Sequence, residues 1–331
     1  MRVVLVLGPS TGGIGTYVRA LAEYCAGRGD QVIVVAPAAT ESHFDFAATG
    51  ARVVPPSRLR AALKHADVVH SHGLKAAAVT NVALATLRDG PRHVVTLHNA
   101  APAGRVSGLV ERLAIRPAAV VLGASSDLVH RAAALHAREA ALCPVPSPPL
   151  PAPTRPPADR GGTSVILTVA RLSPQKSLPV LLDAVTLLAD LDIKVLIAGD
   201  GPERAALSAR IEAGKLPVTL LGHRRDVADL LAAADVFVLP SQWEARALVV
   251  QEALRAGVPV VTTRVGGLPE LVGDAALLVP PNDPPALAAE IRRVLTDPTL
   301  RATLRAAGPA RAATWPTYAE SLAAARAWYA P

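Results

Sequence analysis

Aromatic residues are scarce in this 331-residue chain, where Phe, Trp and Tyr together make up 3%. So few rings offer little for bases to stack on, and no nucleic-acid motif is present, which argues against a nucleic-acid partner. Cysteine occurs only twice, as Cys25 and Cys143. Two cysteines make no disulfide framework and have no metal-ligand spacing, so both read as small buried apolar residues of a protein in a reducing cytoplasm. Long apolar runs are missing as well. The opening run, Val3 to Leu7, stops at Gly8 and Pro9, which makes it a strand and not a signal peptide or membrane span. What remains, 51% hydrophobic and 18% charged, is an ordinary folded composition, long enough for two domains.

Charge is unevenly placed. Residues 1–155 hold 16 Lys and Arg against 9 Asp and Glu, while residues 156–331 hold 18 of each, so the whole excess of +7 lies in the N-terminal half. An anionic membrane face or an anionic acceptor suits such a surface. The short predicted helix SRLRAALKHA carries Arg58, Arg60 and Lys64 along one side, a candidate patch for peripheral contact with the inner face of a membrane. From Pro144 to Pro157 eight of fourteen residues are proline. No core element is built from such a run, so residues 147–163 are expected to be a stiff linker between a domain at 1–146 and another at 164–315. Residues 316–331 follow as one amphipathic helix.

In both halves strands alternate with helices. Strand Val3–Leu7 runs into a turn with Gly8, Gly12, Gly13 and Gly15 and then a helix. The turn has neither the lysine of a Walker A loop nor the third glycine of a dinucleotide fingerprint; a tight turn needing positive φ is the plain alternative. DVVHSHG and HVVTLHN are strands that end in His72 and His98, at the carboxyl end where open α/β sheets bind ligands. Strand Val165–Ala170 ends at Arg171, with Lys176 five residues on, before a helix. Asp190-Leu-Asp192 resembles a metal-binding motif, but it sits where a helix gives way to a strand and is set aside. The densest stretch is PSQWEARALVVQEALRAGVPVV, Pro240 to Val261. It reads as the end of a strand, a loop, a helix closed by Gly257 and Pro259, and another strand. Glu244 lies in its loop and Glu252 on its helix, whose N-terminus favours an anion. Hydroxyls for the carboxylates and phosphate for the helix are what a nucleotide sugar offers.

Glu244, Glu252, Ala253, Gly257, Pro259, Val260, Gly266, Gly267 and Glu270 together resemble the signature of glycosyltransferase family 4, retaining enzymes of the GT-B fold. The resemblance covers nearly the whole chain and is strongest from 165 to 275. It implies an α/β architecture of two doubly wound, Rossmann-like domains facing across a cleft, with the final helix crossing back to the first. It further implies a nucleoside-diphosphate sugar as co-substrate, with no cofactor and no metal. Gly12 and Gly13 would face the donor phosphates and the acceptor, and Arg171 and Lys176 would clamp the diphosphate. The loops after Gly199 and Gly222 would border the base, while Ala247 and Leu248 would belong to the donor-binding helix start. Glu252 would bind ribose hydroxyls and Glu244 sugar hydroxyls. His98 would orient sugar or acceptor, with His72 beside it on the acceptor side. The family's usual Gly-Phe-Gly is here Ala245-Arg246-Ala247. At the mouth of a cleft, Arg246 would recognise a phosphate or carboxylate on an acceptor that is anionic or lipid-linked. An epimerase of the same fold, or a module that binds nucleotide sugars without turnover, are the alternative readings.

Overall fold

A computed structural model describes residues 1–100, 105–154 and 161–330. The chain forms two compact units, the first from Met1–Pro146 with the segment that starts at Thr317, the second from Ser147–Pro316.

In the first unit seven strands make one sheet: β1 (Arg2–Leu7), β2 (Gln31–Val35), β3 (Arg52–Val54), β4 (Val68–His72), β5 (Arg92–Leu97), β6 (Val120–Gly123) and β7 (Ala140–Leu142). Their order is β3-β2-β1-β4-β5-β6-β7 and the pairs are parallel. Val3 to Leu7 are buried on both faces of β1, as expected where helices cover a parallel sheet on each side. The second unit repeats the plan with β8 (Ser164–Val169), β9 (Ile193–Ala198), β10 (Val218–Gly222), β11 (Val236–Leu239), β12 (Val260–Thr263) and β13 (Leu277–Val279), in the order β10-β9-β8-β11-β12-β13. One side of this sheet packs on helices Leu178–Thr186 and Pro284–Thr296, the other on helix Leu248–Arg255 and its neighbours. In each sheet the strand order reverses once, beside β1 and beside β8. Connections there leave in opposite directions, which opens a crevice at the carboxyl ends of β1 and β4, and of β8 and β11.

The middle of the first sheet is unusually polar. Ser71 Oγ lies 2.9 Å from His93 Nε2, and His93 Nδ1 lies 2.7 Å from Asn81 Oδ1. The Asn81 amide donates to the carbonyls of Leu113 and Ala114. Its Oδ1 is therefore an acceptor, the His93 proton belongs on Nδ1, and Nε2 accepts from Ser71. This network ties β4 and β5 to helices Leu74–Leu84 and Arg105–Ile115. On the opposite face His70 sits between the Tyr329 hydroxyl, 2.9 Å from Nδ1, and the Thr96 hydroxyl, 2.7 Å from Nε2.

Helix Tyr318–Ala327 starts with a reciprocal cap, Thr317 with Glu320, and packs on helix Gly13–Gly27. Arg326 grips both oxygens of Asp30, at 2.6 and 2.9 Å. The described part of the proline-rich stretch is not a free span. Ser147 N donates to Gln251 Oε1 and Ser147 O accepts from Arg255, while Thr154 is bonded to Asp229. Residues 155–160 of the expected linker lie outside the described residues.

Candidate functional site

The crevice of the second unit is lined by the loops after β8 and β11. The first carries Arg171, which is exposed, and a single helical turn, Pro174–Lys176. The second, Pro240 to Ala247, carries Glu244. Lys176 Nζ donates to Glu244 Oε1 at 2.5 Å, and Ser241 Oγ donates to the same oxygen at 2.6 Å. Glu244 is 6% exposed. With Oε1 so held, Oε2 has no hydrogen bond among the described residues and can accept from a ligand hydroxyl. The loop backbone is fixed on three sides: Gln175 donates to Trp243 O, Thr263 Oγ1 to Ser241 O and Gly267 N to Glu244 O. A side chain at Gly266, where φ is +51°, would place its Cβ 2.0 Å from Glu244 O, so only glycine permits this closure.

Helix Leu248–Arg255 starts at Ala247 without a side-chain cap. Its first N–H groups therefore point, unanswered by any side chain, toward the crevice end of the sheet. Glu252, one turn in, is half-buried, and burial pushes its carboxyl up to about 7 although Arg255 pulls the other way. Gly199 and Gly222 meet at the ends of β9 and β10, with Gly199 N donating to Gly222 O at 2.7 Å. Gly199 has φ +141° and runs so close to the chain after β8 that a Cβ would lie 1.8 Å from Ala170 O.

In the first unit Thr11, Gly12 and Gly13 are exposed after β1. None of the glycines in that turn has positive φ; Gly12 is extended at φ −141°. Gly15 is there for space, since a Cβ would strike the Phe44 ring, whereas a Cβ at Gly12 would meet nothing within 4 Å. His72 and His98 end β4 and follow β5, with His72 Nδ1 3.2 Å from His98 Nε2. Their rings stack at 5.4 Å, and Tyr17 meets both edge-on. Burial holds His98 down to about 3 and His72 well below the usual range, the latter also through His70 and His98. The pair is thus neutral and shares one proton across its hydrogen bond. His72 Nε2 is buried without a partner.

The structure therefore gathers the expected residues into two sets, one in each unit. Arg246 departs from the expectation of an open rim. It is half-buried, with its guanidinium 5.6 Å from the Trp315 ring centre and its Nε buried without a partner. Burial pushes it down to about 10, with Glu270 opposing and Arg311 and Arg255 adding to the drop. The Asp190 pair is likewise occupied, Asp190 by Arg292 and Asp192 by Thr163. Ser241, Gln175, Tyr17 and Tyr329 were not foreseen. Only Ser241, three residues before Glu244, had a local signal.

Comparison with known proteins adds family matches in both units. The model described as "Glycosyl transferase 4-like domain" matches residues 12–148, and that described as "Glycosyl transferases group 1" matches 163–297. N-acetyl-alpha-D-glucosaminyl L-malate synthase of Bacillus anthracis is 36% identical over 118 residues, 34% of this chain and 31% of that protein. The GDP-mannose-dependent alpha-(1-6)-phosphatidylinositol dimannoside mannosyltransferase of Mycobacterium tuberculosis is 33% identical over 168 residues, 49% of this chain and 44% of that protein. The matched stretches thus span less than half of these relatives. Among solved structures, Anabaena HepE in complex with UDP and glucose superposes with a TM-score of 0.84 at 20% identity, covering 99% of each chain. WaaG, a glycosyltransferase involved in lipopolysaccharide biosynthesis, gives 0.75 at 19%, covering 98% of this chain and 99% of that one. The fold is GT-B.

Proposed function

The chain belongs to glycosyltransferase family 4, and on that premise we propose that it transfers a sugar from a nucleoside diphosphate to an acceptor with retention at the anomeric carbon. The observation that carries the reading is the Lys176–Glu244 pair at the strand-order reversal, beside a helix start without a side-chain cap. Lys176 serves two partners in this arrangement: it fixes Glu244 Oε1 and presents its charge to the donor diphosphate. With Arg171 and the N–H groups of helix Leu248–Arg255 it stabilises the negative charge that grows on the diphosphate as the glycosidic bond breaks. Glu244 Oε2 accepts from a sugar hydroxyl and Glu252 from the ribose. Gly199 and Gly222 border the base, and their lack of side chains keeps that rim low. Gly12 and Gly13 leave open backbone on the acceptor side. His98, neutral and with Nε2 committed to His72, offers Nδ1 to a hydroxyl. Arg246 takes no acceptor role in this scheme; packed on Trp315, it braces the loop that holds Glu244.

The curated relatives named above are a synthase and a transferase, which favours transfer over epimerisation. The test is donor turnover. Purified protein with a panel of nucleoside-diphosphate sugars should release nucleoside diphosphate slowly without acceptor. Arg171→Ala with Lys176→Ala should weaken nucleoside-diphosphate binding at least tenfold in protein that still unfolds cooperatively, because charge-assisted contacts are worth ~1.5 to 3 kcal/mol each. Donor that is bound but never cleaved, or returned as its epimer, would remove transfer from the account.

The acceptor side is read as working at an anionic membrane face. Among the described residues no helix is long and apolar enough to cross a membrane. Arg58, Arg60 and Lys64 are exposed, and the next two helices expose Val79, Val82, Leu109 and Leu113. Exposed bases together with exposed apolar side chains are the make-up of a surface-binding face. Capture on anionic vesicles, released by salt and weakened by neutralising the three bases, is the expected result; indifference to vesicles at low salt points to a soluble acceptor.

A further inference from the structure

At the amino ends of its strands, the first sheet carries a feature that sugar transfer does not use. The starts of β1, β2 and β3 and the short helix Leu59–Leu63 border a cavity of about 1030 Å³. We infer that this cavity binds an organic phosphate, at a site separate from the proposed sugar-transfer residues and sharing Arg58 with the proposed membrane face. The inference does not rest on the glycosyl-transfer reading.

Charge is the first argument. Arg2, Arg52 and Arg58 all line the cavity. Arg2 is held in place, with Nε bonded to Gln31 Oε1 at 3.2 Å and an Nη to His65 O at 3.0 Å. Arg52 and Arg58 are exposed, and among the described residues neither guanidinium has a hydrogen bond or ion pair. The single acid in the lining is Asp30. Its carboxylate is already taken by Arg326 through two hydrogen bonds, so it does not offset the others. Three cations in one concavity repel one another, and an anion between them removes that repulsion. Guanidinium forks match two oxygens of a phosphate at a time.

Shape is the second. A cavity of this volume is larger than a bare ion needs and lies just above the range for small-molecule sites, ~300 to 1000 Å³. Ile33, Val54 and Ala62, half-buried between the bases, form an apolar floor. The ligand is therefore a phosphate on an organic body. The cavity also lies a full strand length, roughly 17 Å at ~3.3 Å per residue, from the end of β1 that leads to Gly12. A ligand at the Gly12 turn and a ligand here are therefore different molecules.

Calorimetric titration of the full chain tests this, with inorganic pyrophosphate and glycerol 3-phosphate as probes. In the Arg171→Ala, Lys176→Ala background, which removes the proposed donor clamp, both probes should still bind. Adding Arg52→Glu and Arg58→Ala should weaken them at least tenfold at an unchanged melting temperature. Arg52→Glu alone in the otherwise native chain should leave nucleoside-diphosphate affinity as it was, so this site and the donor reading fail separately. Vesicles containing phosphatidic acid resolve the source of the phosphate. Binding that is tighter than to glycerol 3-phosphate, and lost with Arg52→Glu, assigns a lipid headgroup; equal or weaker binding assigns a soluble phosphate. Equal probe affinity with and without the Arg52 and Arg58 changes, or no binding at millimolar concentration, overturns the site.

Discussion

Glu252 is where stability and the proposed binding role conflict most directly. Burial raises its carboxyl from 4.5 to about 7, so the fold favours the protonated form. Stability from this group is fully present below the unfolded value and is lost as pH rises from 4.5 through 7. A shift of that size is worth up to ~3 kcal/mol, less to the extent that water reaches the carboxylate. Glu252→Gln keeps the shape without the charge, and should raise unfolding free energy by about 1 to 3 kcal/mol at pH 8 and hardly at all at pH 4.5. The same change should weaken nucleoside binding, and urea melts at the two pH values beside a nucleotide titration measure both. Glu244 and Glu252 were legible in sequence because their spacing straddles one loop and one helix. Arg246 was placed in the right loop but given the wrong direction. Which way a loop side chain turns depends on what packs nearby, here Trp315 at the end of another helix, and sequence order does not supply that.

Among the elements, β4 and β5 carry the most distinctive chemistry. His70, His72 and His93 point from them into the interior and His98 follows β5, all four 8% exposed or less. Burial is the main cause in each case, and it takes His93 and His98 from 6.5 down to about 3. The neutral form is the folded form. Stability is therefore intact above pH 6.5 and falls as pH drops from there toward 3, by roughly 1 kcal/mol per pH unit for each histidine that must take up a proton on unfolding. Urea unfolding at pH 7, 6 and 5 should show a progressive loss; a flat profile would mean that these rings are protonated in the fold. Most strands were readable from runs of Val, Leu and Ile. β7, Ala-Ala-Leu, and β13, Leu-Leu-Val, were not, since three residues give no periodicity and each forms by pairing with a longer neighbour. The histidines could be placed at strand ends but not in their networks. Tyr329, which meets His70 across 259 positions, has no local signature at all.

Taken as a whole, the chain leaves its first unit at Pro146 and re-enters it at Thr317. The returning helix completes that unit, with Arg326 on Asp30 and the Tyr329 hydroxyl on His70. Tyr329→Phe removes one hydroxyl and leaves a buried ring nitrogen unpaired, which should cost about 1 to 3 kcal/mol. Chemical denaturation checks it; an unchanged midpoint would mean that His70 is satisfied by Thr96 alone. The second unit is thus an insertion, and its two ends are held together. Arg255 bonds the carbonyl of Ser147, the unit's first residue, and lies over the ring of Trp315, next to its last. A segment whose entry and exit rest on one guanidinium behaves as a cassette. On the proposed reading, residues 147–316, with Ser147, Arg255 and Trp315 inside them, should exchange between relatives as a block and carry donor choice with them.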